Sequence, residues 1–138
     1  MDDRDKVIID TLLENARISR IKIARKLHIS EAAVRKRIAR LESEGTIFGY
    51  RAVVDQKKIG YLTSLTGIDV APEHLWKAVE TLKKKQEIKS IFLSSGDHTI
   101  MIEIWGKSAD ELAKLHKDLE SVEGIERICP AIITERIR

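Results

Sequence analysis

The stretch from Ser30 to Gly45 constrains this chain more than any other. At 100° per residue, Val34, Ile38 and Leu41 fall within one narrow arc, and that arc has to face a core. Ala32, Lys36 and Ala39 fall on the opposite side. Ala33 and Arg40 flank that side on one edge and Arg35 on the other. Ser30 is placed to cap the start and Gly45 to supply the stop, so a helix is expected over 31–44.

Two further helical patterns precede it. Residues 3–15 carry Ile8, Ile9, Leu12 and Leu13 at helical spacing, with acids in the first turn. Residues 20–27 follow a cap at Ser19 and carry Ile21, Ala24 and Leu27 three residues apart. The turn between the second and third helices, Leu27-His28-Ile29-Ser30, is short, as a helix-turn-helix requires. The outer face of the third helix is small at its N-terminal end and basic behind. That layout suits a recognition helix, whose first turns approach base edges while Lys and Arg reach bases or phosphates. Ala32, Ala33, Lys36 and Arg40 are therefore expected to face the major groove of double-stranded DNA, with Arg35 to one side. Ser30 and the free N–H groups of the first turn can hold a phosphate.

Charge points the same way. The net charge of +3 hides an asymmetry: residues 1–58 hold 14 Lys/Arg against 9 Asp/Glu, and residues 59–138 hold 11 against 13. Between Arg17 and Arg40 lie nine basic residues and one acid, Glu31. A basic segment beside a slightly acidic one suggests that the first half meets a polyanion. Charge alone leaves a second reading open, a solvated basic face on a generic three-helix core.

After Gly45 the segment 46–54 reads as extended, and Asp55 to Gly60 as a polar turn. The domain boundary is placed at 52–61, between a first domain over 1–51 and a second over 62–138. The second domain alternates. Residues 62–70 read as a strand, and Pro72 opens a helix to about residue 85, with Leu75, Val79 and Leu82 on one face. Residues 88–94 and 98–105 read as strands around the turn Ser95-Gly96-Asp97. In the latter, Ile100, Ile102 and Ile104 face one way and Met101, Glu103 and Trp105 the other. Ser108-Ala109-Asp110-Glu111 reads as a capping box opening a helix with Leu112, Leu115 and Leu119. Gly124 ends it, and 125–137 read as a last strand. The order β-α-β-β-α-β is the split βαβ of ferredoxin-like domains. The fold class is thus α+β, a helix-turn-helix (winged-helix-like) domain followed by a ferredoxin-like one.

Asp2-x-x-Asp5-x-x-Ile8-Ile9, Asn15-Ala16-Arg17-Ile18-Ser19, Ile23-Ala24-Arg25-Lys26-Leu27-His28-Ile29-Ser30 and the run from Val34 to Tyr50 carry a family likeness. The chain resembles the Lrp/AsnC, or feast/famine, transcription regulators over nearly its whole length, most strongly in the first fifty residues. The resemblance implies that the second half is an amino-acid-sensing and oligomerisation module. It also implies that two of its sheets pack into a homodimer, and that dimers assemble further, commonly to octamers. Arg37 matches a nearly constant arginine of the family motif; it lies at the edge of the buried arc, so it either braces the fold or holds a phosphate. The implied effector site includes the turn at Ser95, Gly96, Asp97 and Thr99, where Gly96 matches the family glycine. The family often has aspartate at the position of Thr99, and this departure leaves the effector open. Asp97 could receive an ammonium group instead. Thr134 falls where relatives carry a polar pocket residue. An ordinary hairpin with Gly and Asp chosen for the backbone is the other reading of this turn.

No other chemistry is legible. Cys129, the only cysteine, reads as a small buried hydrophobe and excludes an internal disulfide. His28, His74, His98 and His116 lack metal-ligand spacing and read as surface residues, and no cofactor is expected. A siroheme-decarboxylase-like enzyme of the same architecture is the alternative, with His98 and His116 near a tetrapyrrole. No apolar run has the length of a membrane span, and the acidic start does not resemble a signal peptide. A cytoplasmic, non-enzymatic regulator is expected. Scarce Asn and Gln (Asn15, Gln56 and Gln86) lean toward a thermophilic source.

Overall fold

The structure, a computed structural model, describes residues 1–138 and divides into two compact units, Met1–Val53 and Val54–Arg138. The first unit is three helices: α1 (Asp3–Glu14), α2 (Arg20–Leu27) and α3 (Glu31–Ser43). Ile8, Ile23, Ala24, Val34, Ile38 and Leu41 form its buried core, so the apolar arc of α3 meets α1 and α2. The two serine caps act as the sequence suggests. Ser19 Oγ accepts from Lys22 N at 3.2 Å, and Ser30 Oγ accepts from Ala33 N at 3.1 Å. Gly45 follows α3 at φ +73, the left-handed geometry that ends a helix.

Residues 46–54 form no strand, and no wing hairpin is present in this unit. An extended sequence becomes a strand only with a ladder partner, and none lies alongside. Phe48 is 98% exposed as a result.

The second unit runs β1 (Leu62–Val70), a 3₁₀ turn (Pro72–His74), α4 (Leu75–Lys83), β2 (Ile88–Leu93), β3 (Ile100–Gly106), α5 (Ala109–Glu120) and β4 (Ile125–Ile132). The sheet order is β2-β3-β1-β4, antiparallel throughout, which is the ferredoxin-like arrangement. Even-numbered residues of β1 and β3 face α4 and α5: Ile68, Ile100, Ile102 and Ile104 bury against Ala78, Val79, Leu82, Leu112 and Leu119. The odd-numbered face carries no helix.

Details differ from the reading above, among them β3, expected over 98–105, which runs from Ile100 to Gly106. The helix expected from Pro72 begins as a 3₁₀ turn without a side-chain cap, and its α-helical part ends at Lys83. The capping box at Ser108 is half formed. Ser108 Oγ accepts from Glu111 N, but the Glu111 carboxylate reaches past the cap to Lys107 N at 2.6 Å. The last strand, expected to run to residue 137, stops at Ile132, which lies opposite Ser64, and one further ladder bond runs from Ile133 N to Thr63 O at 2.8 Å. Thr134 is therefore beyond the strand.

Candidate nucleic-acid interface

The outward face of α3 is built by helical periodicity alone. With Val34, Ile38 and Leu41 turned inward, Ala32, Arg35, Lys36, Ala39 and Arg40 are exposed, and Ala33 and Arg37 are half-buried. Lys36 forms no ion pair or hydrogen bond, and it lies between Ala32 and Ala39 on a face otherwise free of bulk. Arg35 stands 3.8 Å from Glu31 one turn earlier, both exposed, which is a weak contact. The turn into α3 is held by His28, in the left-handed region at φ 54, whose N–H closes the end of α2. Histidine tolerates this geometry better than bulkier or branched residues.

Arg37 and Arg40 each carry acidic partners on α1. Asp5 is fully buried. Its carboxylate accepts from Arg37 Nη1 at 2.8 Å, from Arg40 Nη2, and from the Asp2 backbone N–H at 3.1 Å. Arg37 Nη1 also donates to Asp2 at 2.7 Å, and Asp2 in turn accepts from Asp5 N at 2.9 Å. Asp2 and Asp5 thus make the reciprocal cap of α1 and the anionic half of a four-residue network. The Arg37 hydrogen bond, with the amide of Asp5, lowers the Asp2 pKa to about 2. Burial pushes Asp5 upward, but Arg37, the Asp2 amide and the charge of Arg40 outweigh it and its pKa is lowered. Hydrogen bonds to Asp2 and Asp5 raise that of Arg37. Arg37 thus makes the bracing contact, one of its two expected roles, through both aspartates of α1. Arg40, expected at the base edges, is bound inward to Asp5 and lies 3.8 Å from Glu44. The Asp2-x-x-Asp5 spacing, N-cap to third helical residue, was the sequence signal for this network. The charged partners on α3 could not be read from it.

Sequence reasoning also passed over the outer side of α2 and its approach. Arg17, Arg20, Lys22 and Arg25 are all exposed there, whereas Lys26 donates to Thr11 at 3.2 Å. Their signal was the run of basic residues from Arg17, already noted as charge but not as positions.

In the second unit the turn before β3 is closed by Ser94 N donating to Thr99 O at 2.9 Å and Ser94 Oγ donating to His98 O at 2.7 Å. Gly96 takes φ +105, which explains glycine there. Ser95, Gly96 and Asp97 are exposed and Thr99 is half-buried. Thr134 is not near them. It lines a small cleft of about 20 Å³ with Gln56, Tyr61 and Thr63, beside the start of β1. The turn lies beside Asp69 at the other end of that strand. Six residues of β1 separate the two, roughly 20 Å at the strand rise. One chain does not bring Thr134 and the Gly96 turn together.

Two histidines read as surface residues are built in. His98 Nδ1 lies 3.0 Å from Asp69 Oδ1, and its ring occupies the space above Gly67, where a Cβ would come within 2.2 Å. His116 Nδ1 lies 2.8 Å from the Leu112 carbonyl, so it donates there. Nε2 then accepts from Thr66 at 2.7 Å, and Ser64 bonds Thr66 at 2.6 Å. This chain satisfies two hydroxyls in the core. Asp69 and Gly67 are odd positions of β1, and Ser64 and Thr66 even ones, so His98 and His116 occupy opposite faces of the sheet. They do not share one tetrapyrrole pocket. Cys129 is half-buried rather than buried, with Arg127 Nε donating to its sulfur at 3.0 Å. No three His, Cys, Asp or Glu side chains gather as a metal-holding group.

The open face of the sheet carries Leu65, Phe92, Met101, Trp105, Cys129 and Ala131, with Phe92 60% exposed. Tyr61 and Trp105 pack with ring centroids 5.5 Å apart, and Trp105 Nε1 donates to Glu103 at 3.0 Å. No helix of the structure is long and apolar enough to cross a membrane.

Comparison with known proteins follows this division. Residues 1–47 match the winged helix-turn-helix DNA-binding family. The chain is 44% identical to the HTH-type transcriptional regulator LrpA of Pyrococcus abyssi, over 100% of this chain and 99% of that protein. It is 42% identical, with the same coverage, to the LrpA regulator of Pyrococcus horikoshii. The Mycobacterium tuberculosis leucine response regulatory protein has a similar fold, with a TM-score of 0.85 at 24% identity over 100% of this chain and 95% of that one. AsnC of E. coli gives 0.71 at 22%, with coverages of 100% and 95%. A transcriptional regulator of Neisseria meningitidis, solved as an L-Met complex, gives 0.74 at 18%, with 100% and 92%.

Proposed function

We propose, for a chain that belongs to the Lrp/AsnC family of DNA-binding transcription regulators, that α3 enters the major groove with Lys36 as its principal basic contact. The observation that carries this reading is Lys36 itself, the basic side chain of the α3 outer face that has no partner. Ala32 and Ala33 let the first turns approach base edges, and Arg35 reaches out beside them. Ser30 and the first-turn amides meet one phosphate, and Arg17, Arg20, Lys22 and Arg25 meet the backbone as α2 crosses it. The test is a titration onto duplex from upstream of the protein's own gene, at several salt concentrations, against an unrelated duplex. Lys36→Ala should weaken binding about 5- to 100-fold and reduce discrimination, as loss of a base contact does. Unchanged binding would remove α3 from the groove.

The regulatory half of the proposal concerns the second unit. The open apolar sheet face is the homodimer surface, and dimers assemble further around the exposed Gly96 turn. An amino acid or similar small effector binds that turn, its ammonium on Asp97. Since Thr134 lies at the far end of β1, a neighbouring copy would supply it. A related fold solved with L-Met supports this class of effector. Calorimetric titration with the common amino acids should give a signal for at least one, lost in Asp97→Ala. No heat with any of them would count against sensing. An effector that favours one assembly state changes DNA affinity by linkage.

A further inference from the structure

The buried carboxylate of Asp5 sits where no core residue is needed to be polar. Its only partners are the Asp2 amide and the two arginines of α3. Arg40 follows Lys36 by four residues, so the two are neighbours one turn apart on the same helix surface. A free guanidinium there would extend the basic face directly. Asp5 and Asp2 instead balance Arg37 and Arg40 charge for charge. The Arg37 side chain is 22% exposed and that of Arg40 48%, and each gives one guanidinium nitrogen to the Asp5 carboxylate.

We infer that Asp5 is a specificity-determining positioning residue of the DNA interface: it withholds Arg40, with Arg37, from the phosphate backbone. The physical logic rests on the proposed groove placement of α3. Phosphate contacts add affinity to every sequence alike, whereas discrimination comes from base edges. By neutralising two of the four basic residues of α3, Asp5 limits the sequence-independent part of binding. It also fixes the helix relative to α1, so that Lys36 is presented in one orientation. Asp5 itself touches no DNA.

The experiment uses the full chain and a random-sequence 40-bp duplex, with affinity followed by fluorescence anisotropy over a range of salt concentrations. Each added phosphate contact steepens the dependence of log K on log salt by about 0.9. Asp5→Asn, confirmed as folded by circular dichroism, should steepen the slope by about one contact per bound protomer. Its discrimination between the upstream and random duplexes should fall. Adding Arg40→Gln to Asp5→Asn should return the slope to the parent value. A folded Asp5→Asn protein with the parent slope overturns the inference, and so does a double variant that keeps the steeper slope. If Asp5→Asn does not fold, two single variants decide. Arg40→Gln should keep nearly the parent slope while melting at lower temperature, and Lys22→Gln, at an exposed side chain proposed to meet the backbone, should lose about one contact without a change in melting. Arg40→Gln losing as much slope as Lys22→Gln overturns the inference while leaving the DNA interface intact. A parent protein that binds neither duplex overturns the interface itself.

Discussion

Asp2 shows how a single residue at the edge of the fold carries two duties. It caps α1 through Asp5 N, and it shares the Arg37 guanidinium. Both contacts require the carboxylate form, which is why its pKa falls to about 2 from 3.8. The sign follows from linkage. A group with a depressed folded pKa adds stability at pH values above the unfolded one, and loses it as pH falls through the folded one. The first unit should therefore melt at progressively lower temperature between about pH 4 and pH 2. Asp2→Asn should flatten that window, as judged by circular dichroism melts, while changing nothing in the slope above pH 5. A parent and a variant with parallel acid profiles would show that Asp2 is not the responsible group. The same residue scale explains why Arg37 and Arg40 escaped a reading by helical wheel. A wheel places a side chain on a face, but a long guanidinium bends toward whatever carboxylate the tertiary fold supplies.

At the scale of elements, α3 is a helix whose N-terminus has to serve two partners. Ser30 satisfies the Ala33 amide, and the remaining first-turn donors are left for an anion. Ser30→Asp separates these duties. Aspartate caps as well as serine and suits the helix dipole, so melting should be unchanged or slightly higher. A carboxylate placed where a phosphate docks should nonetheless weaken DNA binding about tenfold or more through like-charge repulsion. Equal affinity for DNA would mean that this helix end does not meet the backbone. Among the strands, β3 was fully legible because strict alternation of three isoleucines with Met101, Glu103 and Trp105 reports a half-buried strand. β4 was legible only as far as Ile132, five residues short of its expected end. The extended 46–54 segment has strand character, but no neighbour in the first unit offers it a ladder.

At the scale of the whole molecule, the second unit leaves one sheet face bare. Leu65 and Phe92 are exposed on it beside half-buried Met101, and that exposure in a single chain is the physical motive for pairing sheets. With this face pairing two copies as proposed, Phe92→Glu should give monomers in sedimentation equilibrium where the parent chain gives dimers. It should leave the secondary structure intact, because the helix-facing core does not include Phe92. Retention of the dimer would place the interface elsewhere. DNA affinity should fall with it, since a monomer reads one half-site instead of two.

The local sequence by itself determined the elements and most of their inner faces, although Ile23 of α2 enters the core where Ile21 was expected, and Ile21 and Leu13 are exposed. The serine caps, Gly45, the isoleucine alternation and the β-α-β-β-α-β order each follow from hydrogen-bonding geometry and periodicity within a few neighbouring residues. Tertiary structure decided how the charged and polar side chains are spent, because that depends on residues far apart in the chain. Asp5 meets Arg37 and Arg40 across more than thirty positions. His116 settles under β1 fifty positions from Thr66, and Thr134 ends at the opposite end of that strand from Gly96. Apolar residues announce their burial by spacing, since any apolar neighbour will do. A charge or a hydroxyl needs one particular partner at one distance, and only the folded chain selects it.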